Sequence, residues 1–284
     1  MVTSKLTRRF DQISTHLVLG LFALIAIFPI AYTLMTSFKN QDEVLTRPPT
    51  FFPPTWRFDG YQTVFNSDMT RYFLWNSLFN STTSSIVVVT LASLASYTFS
   101  RYRFRGSRAL ELAILGLMMI PGLTNLVPLY RIASDLGVLR PQGLNANLFI
   151  SAVYTAGGLP FAIWIIKSFF DSIPVELEEA ALIDGCTPVQ ALIRVVIPLA
   201  APGLMAAFLL MFVDTWNEFL AALVLLNGTA RTVTVGLYDF QSSFEIAYHV
   251  WTAACIVIML PVLLLFVLLR KRFFEAMLQG ALKG

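Results

Sequence analysis

Charge is scarce in this 284-residue sequence: Asp, Glu, Lys and Arg together supply 13% of it, against about 25% in an average soluble domain. Histidine occurs twice, at His16 and His249, in no metal-binding spacing such as H-E-x-x-H. Cysteine also occurs twice, at Cys186 and Cys255, which excludes a disulfide scaffold and any C-x-x-C redox or zinc motif. Lysine never follows glycine, so the chain has no P-loop of its own, and it has no G-x-S-x-G nucleophile elbow. No catalytic, cofactor or metal site is therefore expected in the chain itself. A net charge of +3 is too small and too dispersed to serve a nucleic-acid surface. What fills the chain instead is apolar: 56% of residues are hydrophobic, and the mean hydropathy is +0.69. Only lipid tolerates so much outward-facing apolar surface, so the composition predicts an all-α, polytopic membrane protein.

Apolar runs long enough to cross about 30 Å of hydrocarbon lie near residues 17–38, 74–99, 109–130, 146–170, 202–226 and 249–269. The first lacks a convincing small-residue cleavage site and reads as a retained span. Six spans put both termini on one side, and basic residues choose that side. Lys5, Arg8 and Arg9 precede span one. Arg101, Arg103, Arg105 and Arg108 crowd the connection between spans two and three, and Arg270, Lys271, Arg272 and Lys283 follow span six. With Lys167 and Arg194 the total is thirteen, against seven on the other face, so both termini are expected in the cytoplasm. The resulting plan is an amphipathic segment over 1–16, one six-span domain over 17–269 and a cytoplasmic tail over 270–284. Two connections are long: an external one over 39–73, rich in proline, and a cytoplasmic one over 171–201.

The cytoplasmic connection has helical texture. Pro174 suits a first helical turn, and Glu176, Glu178 and Glu179 favour the positive end of a helix. Asp184-Gly185 breaks that helix, Gly185 supplying left-handed geometry and Asp184 a bond to the adjacent backbone. Helical pattern resumes over 188–197, with Val189, Leu192, Ile193 and Val196 on one stripe, until Pro198 and Pro202. Texture alone permits two readings, an amphipathic connector resting on the membrane or a docking segment.

The full string decides between them. Glu179-Ala180-Ala181, then Asp184-Gly185, then Val195-x-Ile197-Pro198 resembles the EAA loop of ABC importer permeases, with Val195 and Ile197 where Ile and Leu are commoner. The likeness runs along nearly the whole chain. Asn76-Ser77 opens span two; Tyr97 with Arg101-Tyr102-Arg103-Phe104-Arg105-Gly106 is similar to A-Y-x-x-x-R-x-x-F-x-G, with Ser96 for the Ala. Pro121, Pro128-Leu129-Tyr130, Pro160-Phe161 and Trp216-Asn217-Glu218-Phe219 follow. Thr234-Val235-Gly236-Leu237 resembles T-x-P-V-G-L with a proline missing, and Gly280-Ala281-Leu282-Lys283-Gly284 the G-A-V-K-G ending of sugar-importer permeases. Ala276 departs from a commoner Gly. The most similar type is the smaller permease subunit of maltose-like importers.

The resemblance implies the type I ABC importer fold in a bacterial or archaeal inner membrane. It further implies a homologous second permease, an extracytoplasmic sugar-binding protein and two ATPase subunits that hold the ATP and magnesium. The residues matching the coupling motif are Glu179, Ala180, Ala181, Asp184, Gly185 and Pro198. The cargo implied is a di- or oligosaccharide or a glycoside. A polyol phosphate on the same scaffold is an alternative, and so is an ion-coupled carrier, which usually shows repeated halves and ionisable residues in several spans.

Asp214 and Glu218 lie four residues apart inside span five, so one continuous helix would put them on one face. Asp214 sits about 18 Å along that helix from Pro202, beyond the membrane's midplane. With Trp216 and Asn217 they form a set suited to bind hydroxyls and stack on a sugar ring, or else a hydrogen-bond cluster between helices. Asn80, Asn125 and Tyr154 are further candidates for the solute path. Trp56, Trp75 and Trp251 suit membrane anchors. Pro121, Gly157-Gly158 and Pro160 are expected to kink spans three and four or to let helices pack closely.

Overall fold

A computed structural model describes residues 5–139, 144–240 and 247–281. Arg140 of the charge count and Leu282-Lys283-Gly284 of the terminal motif lie outside these. The described residues form helices and no strand. The chain runs through α1 (Lys5–Thr36), α2 (Gln41–Leu45), α3 (Asp59–Asn66), α4 (Leu74–Arg101), α5 (Ser107–Leu117), α6 (Leu126–Asp135) and α7 (Leu144–Phe170). It continues through α8 (Val175–Ile183), α9 (Pro188–Ala191), α10 (Ile197–Leu199), α11 (Ala201–Asn217), α12 (Leu220–Leu225), α13 (Val233–Gly236) and α14 (Tyr248–Ala281).

Four of the expected spans are single helices long and apolar enough to cross a membrane, at Gln12–Thr36, Met69–Arg101, Asn145–Phe170 and Tyr248–Lys271. Of the other two, the third span is broken, Ser107–Leu117 meeting Gly122–Asp135 at 86°, and the fifth starts at a 77° bend where Pro188–Leu199, from the connection over 171–201, meets Ala201–Asn217. Proline accounts for both bends: Pro121 stands at the first break and Pro202 in the opening turn of α11, each lacking the N–H that would continue the ladder. The fifth run also stops earlier than its hydropathy suggests. Its helix ends at Asn217, because Glu218 adopts an extended backbone with ψ 132°, and the short α12 follows.

The chain divides into two compact units, Met1–Ser67 with Asp239–Met259, and Asp68–Tyr238 with Leu260–Gly284. In the first, the proline-rich stretch is ordered by aromatic packing. Phe38 lies 5.3 Å from Trp56, 5.3 Å from Phe58 and 5.2 Å from Tyr61 between ring centroids. Asn40 and Glu43 cap α2 reciprocally. Lys39 is buried: its ammonium donates to the Thr50 carbonyl and lies 5.6 Å from the Tyr32 ring centroid.

The second unit is built on α4, α7 and α11. The buried face of α4 is small and polar, with Ser77, Ser81, Ser84, Ser85, Ser93 and Ser96, while Ile86, Val87, Leu91 and Leu94 face outward. This inversion suits lipid, which rewards close approach of backbones rather than burial of large apolar groups. Approach is close enough that a Cβ on Gly203 would fall 2.2 Å from the Phe169 ring, and one on Gly158 2.9 Å from the Met211 sulfur. Close packing therefore explains Gly158, whereas a Cβ on Gly157 would meet nothing. The Ser96 hydroxyl donates 2.9 Å to the Ile163 carbonyl, and Lys167 of α7 pairs with Glu111 of α5 and with Asp171.

Candidate functional site

The coupling motif occupies α8, the turn after it and α9. Pro174 precedes α8, and Glu176 and Glu178 fall in its first turn. The C-terminus closes in a Schellman motif: the Cys186 amide donates 3.0 Å to the Ala181 carbonyl and the Gly185 amide 3.1 Å to that of Leu182. Gly185 carries the left-handed backbone this needs, at φ +91°. The turn is thus held by main-chain bonds, and not by an Asp184 side-chain bond as expected from the sequence. Thr187 opens α9, accepting from the Gln190 amide at 3.3 Å while the Gln190 side chain accepts from the Thr187 amide at 2.9 Å. The expected stripe splits: Leu192 and Val196 are buried, while Val189 and Ile193 are exposed, within a chain that passes through a π-helical turn at Leu192–Val196.

Glu179, Ala180, Asp184, Gly185 and Pro198 are exposed and Ala181 is half-buried. Around them stand exposed apolar side chains, Val175, Leu177, Leu182, Ile183 and Val189, with Ile183 at 86% exposure. An apolar patch rimmed by Glu179 and Asp184 has the texture of an interaction surface. Glu178 does the opposite of its neighbours. It is buried, accepts a 2.8 Å bond from Arg101 Nε at the end of α4, and accepts from the Tyr97 hydroxyl one turn earlier. Arg101 Nη2 also donates 3.2 Å to the Ile173 carbonyl just before α8. Nothing in the sequence motifs around Tyr97, Arg101 and Glu178 pairs them. The signal available was an arginine at a span's end, which needs a counter-charge if buried.

In span five the candidates part company. Trp216 is buried, with its ring stacked 5.7 Å from that of Phe212, so in this conformation it offers no free face to a solute. The Glu218 carboxylate is turned into the start of α12, accepting from the Ala221 and Ala222 amides at 2.7 and 3.1 Å and from the Tyr154 hydroxyl at 2.7 Å. Because α11 ends at Asn217, Asp214 and Glu218 do not belong to one continuous helix. Asp214 and Asn217 are exposed, the latter donating 2.8 Å to its own turn at Val213.

Asn80 is buried in an architectural network. It donates 2.9 Å to Asn147 and accepts 3.1 Å from Ser151, while Asn147 donates 3.1 Å to Asn76. Asn76 in turn donates to the Thr229 and Arg231 carbonyls at 2.7 and 2.9 Å. Asn125 is exposed in the break between α5 and α6. Trp56 and Trp75 are exposed. Of the seven solute-path candidates, Asp214, Asn217 and Asn125 therefore keep free faces, Tyr154 and Glu218 bond each other, and Asn80 and Trp216 are enclosed.

An open groove of about 780 Å³ between the end of α4 and the start of α5 is lined by Phe99, Tyr102, Arg103, Phe104 and Arg108 among others. Such basic and aromatic groups suit the headgroup level of a bilayer better than a sugar. Among the described residues no cluster of His, Cys, Asp or Glu could hold a metal ion.

Residues 88–278 match the family model described as binding-protein-dependent transport system inner membrane component. Over 287 aligned residues the chain is 34% identical to the inner membrane ABC transporter permease protein YcjP of Escherichia coli, covering 100% of both. It is 35% identical to the sulfoquinovosyl glycerol transport system permease protein of Agrobacterium fabrum, covering 97% of this chain and 93% of that one. It is 31% identical to the maltodextrin transport system permease protein of Bacillus subtilis, covering 98% of each. A solved structure of a bacterial ABC transporter that imports the acidic polysaccharide alginate superposes with a TM-score of 0.75 at 24% identity, over 96% of this chain and 99% of the other.

Proposed function

The chain belongs to the binding-protein-dependent transport system inner membrane components, and from that premise we propose that it is one half of the translocation pathway of an ATP-driven sugar importer. The cargo is a di- or oligosaccharide or a glycoside, a reading supported by the sugars named for the relatives above. A homologous permease completes the pathway, a binding protein delivers the sugar from outside, and two ATPase subunits bind beneath, carrying the ATP and magnesium. The chain itself is a permease subunit and hydrolyses nothing.

The observation that carries the coupling half of this reading is the exposed surface of α8 and its turn. Glu179, Ala180, Leu182, Ile183 and Gly185 present a compact mix of apolar, small and acidic groups on a helix end fixed by backbone bonds. Small Ala180 and Gly185 let another subunit approach closely, and Glu179 meets a basic or polar group across the interface. Closure of the ATPases on ATP pushes this segment and swings the spans between inward- and outward-facing arrangements. Asp214 and Asn217, the exposed polar groups at the end of α11, face the sugar on its way through.

The test is uptake by proteoliposomes holding the four-subunit complex with its binding protein. Radiolabelled maltotriose, trehalose, N,N′-diacetylchitobiose and sulfoquinovosyl glycerol are offered one at a time. ATP-dependent accumulation of one of them is expected. Accumulation driven by an ion gradient without ATP would contradict the reading.

A further inference from the structure

The surface of α8 is built to be touched, but something must carry its displacement into the membrane. Across α8 the buried residue is Glu178, a charged one; no apolar side chain of this helix is buried. Apolar anchors stand before and after it, at Ile173 and at Leu192 and Val196, in the core that includes Val88, Ala92 and Tyr97 of α4. What α8 itself sends into the unit is a carboxylate, held by Arg101 Nε at 2.8 Å and by the Tyr97 hydroxyl. Both partners belong to the last turns of α4, four residues apart on one face. The arginine fork also grips the Ile173 carbonyl at 3.2 Å. One planar group thus holds the entry and the first turn of α8 together, with the directionality that a guanidinium–carboxylate contact provides.

Helix α4 is a suitable receiver. It runs unbroken from Leu74 to Arg101 and contributes Val88, Ala92 and Tyr97 to the core that it shares with α7 and α11. Ser96, beside Tyr97, is bonded to the Ile163 carbonyl of α7. A shift of Glu178 is therefore felt first at the end of a rigid rod and then by the two helices packed along it. We infer that Glu178, Arg101 and Tyr97 form the joint through which movement of the coupling segment is transmitted to the spans, acting as positioning residues. The inference rests on the coupling role proposed above.

A purely structural ion pair makes a different prediction from a joint. Removing one charge of a buried pair destabilises because the other is left uncompensated, whereas removing both is often harmless. The decisive variant is therefore Glu178→Gln combined with Arg101→Gln, in the complete complex with its ATPases and binding protein. The readouts are the amount of assembled complex and the sugar carried per ATP hydrolysed, using whichever of the four labelled sugars the wild type takes up. A joint predicts normal assembly, continued ATP hydrolysis and a transport ratio lowered by about tenfold, within the usual range of intersite coupling. A wild-type ratio in the assembled double variant would overturn it. Should that variant not assemble, Tyr97→Phe decides: a lowered ratio supports the joint and an unchanged one sinks it.

Should the wild type carry none of the four sugars, the sugar reading fails by itself, because the joint is also read without solute. ATP with vanadate should change the reactivity of a cysteine placed at exposed Leu210 of α11, in a Cys186→Ser/Cys255→Ser background. The change should disappear in the double variant. Its persistence there, or its absence from the wild type, would also overturn the joint.

Discussion

Replacing Gly185 by aspartate places a Cβ on a backbone at φ +91°, a conformation that L-residues rarely adopt. The built Cβ meets no atom within 4 Å, so the intrinsic cost is backbone strain without any clash inside the chain. That strain is about 1–2 kcal/mol, against a total stability of order 5–15 kcal/mol for a folded domain. The protein should fold and insert. Two Schellman bonds, from Cys186 to Ala181 and from Gly185 to Leu182, define the angle between α8 and α9. Relaxing the strain means loosening them, which tilts the surface that carries Glu179 and Ala180. The new carboxylate also stands beside Asp184, adding like charge at the proposed ATPase contact. Uptake and sugar-stimulated ATP hydrolysis should therefore fall together and severely in the reconstituted Gly185→Asp complex. Gly185→Ala, which carries the strain without the charge or bulk, should fall between it and the wild type. Fully coupled transport by Gly185→Asp would refute the reasoning and return the segment to a mere connector.

Cysteines at Ser4 and Gln190 should label from the cytoplasmic side and one at Ser242 from outside; labelling of Gln190 from outside would overturn the topology. Asp214→Asn should lower uptake with the complex intact, whereas Glu218→Ala should first lose stability by about 1–3 kcal/mol, since it strips the α12 amides and the Tyr154 hydroxyl of their acceptor; thermal melting of the purified complex separates the two. Burial lowers the pKa of Lys39 below its ordinary 10.5, with Glu43 opposing the shift. The unfolded chain thus binds more protons than the folded one between the lowered value and 10.5, and the order of the 39–58 stretch should strengthen as pH rises through that window. Lys39→Met should abolish this rise in protection, read by protease nicking, and a rise that survives the substitution would refute the assignment.

The spans were legible because hydropathy reports the solvent directly, and Pro121 and Pro202 marked both bends. The end of α11 at Asn217 was not, since apolar residues continue through Leu226 and nothing local announces the break. It is fixed by the Ala221 and Ala222 amides on the Glu218 carboxylate together with distant partners, Tyr154 on that carboxylate and Thr234 on the Glu218 carbonyl. Asp184-Gly185 identified the turn after α8 from residue type alone, since only a left-handed residue closes that geometry cheaply. The Thr187–Gln190 capping box has its local signature in T-x-x-Q. Trp216 illustrates the limit of residue type: an indole suits both a sugar and a core, and the Phe212 ring one turn earlier was the local hint of the latter. The Glu178–Arg101 pair joins residues separated by a whole helical hairpin, a link that periodicity within one segment does not reveal.

Cross-linking from Ala180 tests the central claim most directly. A photoreactive probe on an Ala180→Cys variant, in the Cys186→Ser/Cys255→Ser background and within the assembled complex, should attach to an ATPase subunit. The same probe at exposed Trp75, near the start of α4, should not. Attachment from Ala180 to lipid alone, with no ATPase product, would contradict the account.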